Sequence, residues 1–481
     1  MTAGLAIAGA SLAIWIYLIA ARGGFWRASQ RDDDEQPVAP RSLPAQLHML
    51  AGWLRLPPPE RGRLALGLDP RVDRPGSSPG QAPREGGGRD PHPIPPLFKG
   101  REETAVGSEP NGIALLQGER EQIVARSEPN ATAPRSWPAV AAVIPARDEA
   151  DVIAESLGSL LRQDYPGEFT VVLVDDQSRD ATAEVARACA ARQHAADRLT
   201  ILPGRKLPAG WSGKLWAMKQ GIEHVESLQK NPAAYLLLSD ADIAYAPDAL
   251  RTLVARAEAG NLVLASLMAK LRCESWAERA LIPAFIFFFQ MLYPFSRVNR
   301  PHAPTAAAAG GCMLVRRDAL DAVGGIEKIR AALIDDCALG RELKAVGPIW
   351  LGLTRRARSL RAYPRISDVR RMVSRSAYDQ LGYSPLRLIG TIAGLALTFL
   401  APPLLALLGS GLAQALGLAA WGLMAIAFQP MLRFYQVSPL WGAALPAIAA
   451  FYLAFTLDSA YQHLRGRGGL WKGRFQAARA K

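Results

Sequence analysis

Four long stretches of this chain carry no charge, and their placement decides most of what it can fold into. Residues 3–21 (AGLAIAGASLAIWIYLIAA) lie at one end, and 388–408, 412–430 and 439–457 follow one another near the other. A helix needs about 20 apolar residues to cross a bilayer, so each run has spanning length. No Lys or Arg precedes residue 3, whereas a cleaved signal peptide carries a basic leader. Arg22 and Arg27 follow instead, which predicts a retained N-terminal transmembrane anchor over residues 1–22 with the next segment cytosolic. The end, 463–481, is also basic, through Arg465, Arg467, Lys472, Arg474, Arg479 and Lys481, and this argues for a cytosolic tail. Three crossings within a C-terminal transmembrane region at 386–458 would carry that tail to the far side. Either one run is re-entrant, with 388–408 the candidate because of Pro402-Pro403, or the charge rule fails here.

Between the apolar ends the composition changes twice. Residues 31–136 hold 17 of the 36 prolines, with a triple glycine at 86–88, and cannot repay the entropy of ordering. A flexible or polyproline-like linker is expected, with at most a short surface helix at 47–56 and a weak echo of Ser-Glu-Pro-Asn at 108–111 and 127–130. From residue 138 to about 375, apolar runs of strand length (140–144, 170–174, 234–238, 262–265) alternate with helix-like stretches such as 151–162 and 181–190. That alternation predicts an α/β domain with a mainly parallel sheet and a ligand at the strand C-termini.

The balance of 56 Lys+Arg against 43 Asp+Glu gives a net charge of +13, with 49% hydrophobic and 21% charged residues. Such a chain is too apolar to be wholly disordered and too charged to be spans alone. Cys189, Cys273, Cys312 and Cys337 lie far apart without a CxxC pair, so neither a disulfide framework nor a zinc site is expected. No basic patch interleaved with aromatics appears, and nucleic-acid binding is not expected.

Acidic residues gather where the strands should end. The first run leads into Pro145-Ala146-Arg147-Asp148-Glu149, and the second into Asp175-Asp176-Gln177-Ser178. Carboxylates there suit the donor edges of a nucleotide base and ribose, although Ser178 or Asp180 could simply cap the next helix. A third run ends in Asp240-Ala241-Asp242. Two carboxylates at i, i+2 make an oxygen-rich site for a hard divalent cation, Mg²⁺ or Mn²⁺, which would neutralise a diphosphate.

In order, PARDEA, VDDQSRDAT, WSGKLWAM around Lys214, SDADI, GGCMLVRRDAL and LIDDCALG resemble the family 2 glycosyltransferases, over about residues 138–375. The flanking apolar segments resemble the hopanoid-associated membrane members most. The resemblance implies a GT-A (Rossmann-like) fold and an inverting enzyme that moves one sugar, of hexosyl type, from a nucleotide sugar, a UDP-sugar by expectation. The acceptor would be a membrane lipid. It implies a multi-pass protein of the bacterial inner membrane with a cytosolic catalytic domain. By motif, Pro145, Arg147, Glu149, Asp175 and Asp176 would bind the nucleotide, with Asp240 and Lys214 near the diphosphate. Asp242, with Asp240, would hold the metal. Asp336 would be the base and Asp335 its partner, although the pair could instead cap a helix at 337–346. Arg316 and Arg317 could be structural or contact phosphate.

The QxxRW motif of processive members is missing from 370–378, which disfavours a polymerase. Arg371 or Arg375 could still approach the diphosphate, or could form a basic stripe facing the membrane. Transfer to a polyprenyl phosphate and a non-catalytic nucleotide-sugar-binding scaffold are the alternatives. The run 281–295 would be about 22 Å long as a helix, short of a bilayer core. If it spanned, Asp242 and Asp336 would face opposite sides, so an interfacial helix or a core helix is expected.

Overall fold

The apolar runs of the central region become strands hidden on both faces. Strand β1 (Val140–Ala146) is buried at all seven positions, as expected of a central strand covered on both sides. The computed structural model describes residues 2–32, 136–228 and 232–466, with two short paired stretches at 470–471 and 474–475. Nearly all of the expected 31–136 linker, its helix at 47–56 and most of the basic tail lie outside the described residues.

After β1 come β2 (Phe169–Asp175), β3 (Leu199–Pro203), β4 (Tyr235–Ser239), β5 (Ile243–Tyr245), β6 (Leu264–Lys270), β7 (Cys312–Arg316) and β8 (Ile349–Ser359). They form one sheet in the order β3-β2-β1-β4-β7-β6-β8-β5. Parallel pairing joins β1 to β2 and β4, and β2 to β3. The expected parallel sheet holds for these four strands and becomes mixed beyond them. Strand β7 runs antiparallel to both β4 and β6, and β5 antiparallel to β8. Only Asp240, Ala241 and Asp242 separate β4 from β5. A parallel crossover needs a dozen residues or more, so this link cannot make one, and β5 instead pairs with β8 at the far edge.

The period of two along each strand divides the domain into two cores. Val140, Ala142, Ile144, Val171 and Leu173 face one side, against Leu157, Leu160, Leu250 and Leu253 of the flanking helices. Ala141, Val143, Val172, Val174 and Leu238 face the other and share a core with Ile282, Phe287, Phe428 and Tyr452. The helix Gly213–Ser227 lies close on this second face: a Cβ at Gly221 would come within 2.5 Å of Val143 Cγ1.

Four helical segments are long and apolar enough to cross a membrane: Ala3–Ala20, Trp276–Val298, Pro385–Leu408 and Gly411–Tyr435. The second is 56% buried within the protein, against 22%, 17% and 28% for the others. The 439–457 run instead contributes to a helix, Leu445–Leu464, that is not one of these four. Its buried face is apolar through Leu445, Ile448, Ala449, Tyr452 and Phe455 and turns polar toward its C-terminus: Phe455 O and Asp458 Oδ2 accept from Ser374 Oγ at 3.0 and 2.9 Å, and Ser459 Oγ accepts from Tyr378 N at 3.0 Å.

Pro385–Leu408 runs continuously through Pro402-Pro403, by way of a π-helical turn at Ala396–Leu400. Pro402 has no N–H, which leaves open the carbonyls four and five residues back. Trp15 Nε1 donates to Thr398 O at 2.8 Å and Ser11 Oγ to Leu397 O at 2.7 Å. The N-terminal helix thus satisfies the groups that the proline frees, and Trp15 packs edge-on against Phe399.

Candidate active site

The parallel strands β1 and β4 deliver their C-terminal residues to one cavity of about 500 Å³. Pro145 and Glu149 come from the end of β1, Asp240 and Asp242 from the end of β4, and Lys214 from the first turn of the helix Gly213–Ser227. Asp335 enters from the first turn of the helix Asp335–Lys344. Asp335 and Asp336 occupy the first turn, where the helix dipole favours carboxylates, while the cap position is Ile334 with no side-chain cap, so the pair does not cap this helix.

Two cations bind this acidic ring together. Lys214 Nζ lies 2.8 Å from Asp240 Oδ1 and 3.0 Å from Asp335 Oδ2. Burial alone would depress its pKa, but the carboxylates of Asp240 and Asp335 outweigh that and hold it above the ordinary lysine value. Arg361, just past β8, donates from Nε to Asp242 Oδ2 at 2.8 Å and from Nη2 to Glu149 Oε1 and Oε2 at 2.8 and 2.9 Å. Burial, set against Asp242 and Glu149, leaves it likewise raised. Burial and the neighbouring Asp242 push the Asp240 carboxyl up, against the pull of Lys214.

Asp336 sits directly behind Asp335. Its Oδ2 accepts from Gly310 N at 2.9 Å and its Oδ1 from Cys337 N at 2.7 Å. Burial, followed by the charge of Asp335, raises its pKa to about 6 despite Lys214 and these two amides. The backbone comes very close here: a Cβ at Gly310 would stand 3.3 Å from both Asp336 Oδ2 and Lys214 Nζ.

Not every residue singled out from the sequence lines the cavity. Arg147 is buried and donates from Nη1 to Asp176 O at 2.5 Å and Gln177 O at 3.2 Å, tying the ends of β1 and β2 together. Asp176 is fully buried beside it, with its N–H on Ala146 O at 2.8 Å. Asp175 turns its Oδ1 to Ser178 N at 3.1 Å, within its own loop. The structure brings Glu149, Lys214, Asp240, Asp242, Asp335 and Asp336 together and sets Arg147, Asp175 and Asp176 at the adjoining loop.

Sequence reasoning missed Arg361 and Tyr363. No local pattern marks them, since they lie at the far end of β8 and reach the site only through the sheet. Arg371 and Arg375, by contrast, were flagged, and both line the cavity. They project from the helix Ile366–Ser374 and the residue just after it, with Asp368 and Met372 on the same i, i+3, i+4, i+7 face. Val369 and Val373 are buried on the opposite face. A basic stripe and an apolar stripe therefore share one amphipathic helix between the cavity and Leu445–Leu464.

Asp240 and Asp242 supply the hard oxygen donors that Mg²⁺ or Mn²⁺ prefers. Among the described residues no group of three or more His, Cys, Asp or Glu is placed to hold a metal by itself. The donor set fits an ion shared with a phosphate-bearing ligand, because Mg²⁺ commonly takes one or two carboxylates and completes its shell with phosphate oxygens and water.

Residues 141–324 match the family model Glycosyl transferase family 2. That span contains Lys214, Asp240 and Asp242 and stops before Asp335 and Arg361. No curated protein matches the chain. Solved structures with a similar chain course include the mannosyltransferase PcManGT from Pyrobaculum calidifontis, in complex with GDP-Man and Mn²⁺. It is 17% identical, with 73% of this chain and 94% of that one covered and a TM-score of 0.43. S. aureus TarS is 15% identical, covering 67% of this chain and 54% of that one, with a TM-score of 0.33. Glucosyl-3-phosphoglycerate synthase from Mycobacterium tuberculosis is 15% identical, covering 47% and 73%, with a TM-score of 0.30. Likenesses this distant carry no argument about chemistry.

Proposed function

We propose that this chain is a membrane-anchored, inverting glycosyltransferase that moves one hexosyl group from a nucleotide sugar to a lipid hydroxyl, with hopanoid lipids as one acceptor class. The observation that carries the reading is the meeting of Asp240, Asp242, Lys214 and Asp335 around one cavity, with Asp336 directly behind Asp335, in and just beyond the matched segment. Asp240 and Asp242 would hold Mg²⁺ or Mn²⁺, which supplies charge neutralisation for the diphosphate when bound. Lys214 and the cavity-lining Arg371 and Arg375 add positive charge where the leaving diphosphate departs. The acceptor oxygen bonds to the anomeric carbon as the bond from that carbon to the diphosphate oxygen breaks. The hydroxyl proton passes to Asp336, whose raised pKa of about 6 suits a general base near neutral pH.

The helix Trp276–Leu292 joins the site to the anchor. The Tyr363 N–H, two residues from Arg361, donates to Glu278 Oε1 at 2.7 Å, and the Tyr452 hydroxyl donates to Leu281 O at 2.8 Å. Half-buried and packed under the sheet, this helix serves as an interfacial support from which a lipid acceptor reaches the cavity.

A second reading is favoured by one feature: both Asp336 oxygens already accept backbone N–H groups. A polyprenyl-phosphate acceptor attacks through a phosphate oxygen and needs no strong base, and Arg371 or Arg375 would hold that phosphate. The deciding experiment offers purified protein in nanodiscs a panel of UDP- and GDP-sugars, Mn²⁺ or Mg²⁺, and either a neutral lipid extract or polyprenyl phosphate. Sugar-labelled neutral lipid, lost in Asp242→Asn, supports the main reading. Labelled polyprenyl phosphate alone supports the second, and no labelled lipid with any donor sinks both.

A further inference from the structure

Arg361 occupies the ground that a metal ion would need. Its Nε–H lies on Asp242 Oδ2 at 2.8 Å, and its Nη2 bridges both oxygens of Glu149 at 2.8 and 2.9 Å. Both carboxylates belong to residues with little exposed surface, so each would be a costly buried charge if left alone. A divalent cation approaching Asp242 Oδ2 therefore meets an oxygen already held by a guanidinium, and can take that oxygen only if Arg361 moves.

The backbone around Arg361 is fixed, and its side chain reaches from there into the cavity. Leu360 N donates to Asp242 O at 2.8 Å, and Tyr363 N to Glu278 Oε1 at 2.7 Å. Those two anchors, one on either side of residue 361, hold the arginine within reach of both Glu149 and the cavity. Arg361 itself lines the cavity beside Lys214, Asp240 and Asp242.

The geometry points to Arg361 as a latch that couples metal to diphosphate: it holds Asp242 and Glu149 while the site is empty, and yields Asp242 to the metal only when a diphosphate arrives to receive the guanidinium. The physical basis is that Arg offers a rigid fork suited equally to carboxylate and phosphate oxygens, so exchanging one for the other costs little geometry. Metal alone must leave the guanidinium without Asp242. Metal with a nucleoside diphosphate replaces one anion by another. Binding of the two is then mutually favourable, by the same factor whichever arrives first. Arg361 is a positioning residue in this scheme, since it governs when Asp242 is available.

The inference rests on the metal-dependent nucleotide-sugar reading, and the test separates the two. Free Mn²⁺ is followed by its electron paramagnetic resonance signal in titrations of the full chain in nanodiscs, without nucleotide and with UDP or GDP. Wild-type protein is expected to bind Mn²⁺ weakly alone and at least about fivefold more tightly with the nucleotide. In Arg361→Gln the Mn²⁺ affinity without nucleotide rises by a similar factor and the nucleotide enhancement shrinks. Arg361→Lys, which keeps the charge, lies between them. A gain in affinity is not something a merely misfolded variant produces. Equal Mn²⁺ affinity in wild type and Arg361→Gln overturns the latch and leaves the metal reading standing. No Mn²⁺ binding in any variant, with or without nucleotide, overturns both.

Discussion

At the residue scale, Asp336 makes the sharpest demand. An aspartate with an ordinary pKa is a poor base near neutral pH, and burial with Asp335 alongside brings Asp336 up to about 6. A general base acts in its ionised form. Turnover should therefore hold steady above that value and fall as the pH drops through it. Asp336→Asn should lower turnover by about 10²–10⁴-fold, the usual worth of a general base, and the remaining rate should lose its acid limb. A pH–rate profile of wild type and variant with a hydroxyl acceptor checks both, and an unchanged profile in the variant would move the base elsewhere. Asp240 and Asp242 stood out in the sequence as a carboxylate pair closing an apolar run, whereas Lys214, Asp335 and Asp336 were marked only by motifs that resemble a known family. Arg361 was not legible, because its partners Glu149 and Asp242 lie more than a hundred residues upstream and only the sheet brings them together. Arg147 was singled out as a nucleotide-binding residue by motif, and its guanidinium holds carbonyls of the loop that follows β2.

At the element scale, the helix Trp276–Leu292 shows how an apolar segment is tied to a polar site. Ser275 and Glu278 form a reciprocal cap, in which Ser275 Oγ accepts from Glu278 N at 3.1 Å and Glu278 Oε2 accepts from Ser275 N at 2.8 Å. The same Oε2 accepts from Glu274 N at 2.9 Å, and Oε1 holds Tyr363 N. Burial would raise this carboxyl, but the backbone donors outweigh it and keep its pKa below the ordinary value. A depressed carboxylate pKa stabilises the fold at neutral pH, and that contribution is lost as pH falls through the depressed value. Glu278→Ala would orphan three buried amides at a cost of about 2 kcal/mol or more, seen as a lower thermal midpoint in detergent. It should also raise the KM for the nucleotide sugar, because residues 360–363 lose an anchor. A lower midpoint with an unchanged KM would mean that the cap supports the helix alone. The capping pair stands in the sequence as Ser-x-x-Glu. Its second duty toward Tyr363 could not be read there, since no local rule links residues 85 positions apart.

At the scale of the whole molecule, the packing supports a proposal for the conflict between three C-terminal runs and a basic tail. The helix Thr2–Ala20 runs antiparallel to Pro385–Leu408, with Gly4 near Leu405 and Ser11 and Trp15 on Leu397 and Thr398, and Gly417 of Gly411–Tyr435 packs on Leu405, while Arg31 lies over the Phe434 ring. Residues 30–32 then join β8, where Leu353 N donates to Gln30 O at 2.8 Å and Asp32 N to Leu353 O at 3.1 Å. Pro385–Leu408 leads away from the catalytic domain and Gly411–Tyr435 returns to it, ending where Lys270 and Arg355 also face Phe434. Leu445–Leu464 packs against the catalytic domain, where Ser374 and the Tyr378 N–H bond to its C-terminal turns. On the proposed reading the chain crosses three times, once before the catalytic domain and twice after it, and the end of Leu445–Leu464 lies on the side of that domain. The charge rule is then kept without a re-entrant segment. Single cysteines placed in a Cys273→Ser background test this with a membrane-impermeant maleimide. Ser410→Cys, at the turn between the paired helices, should react in intact cells. Arg465→Cys and Glu184→Cys should react only after the membrane is opened. Reaction of Arg465→Cys in intact cells would mean that Leu445–Leu464 crosses after all, and its contacts to Ser374 and Tyr378 would then have to be absent from the membrane-embedded protein.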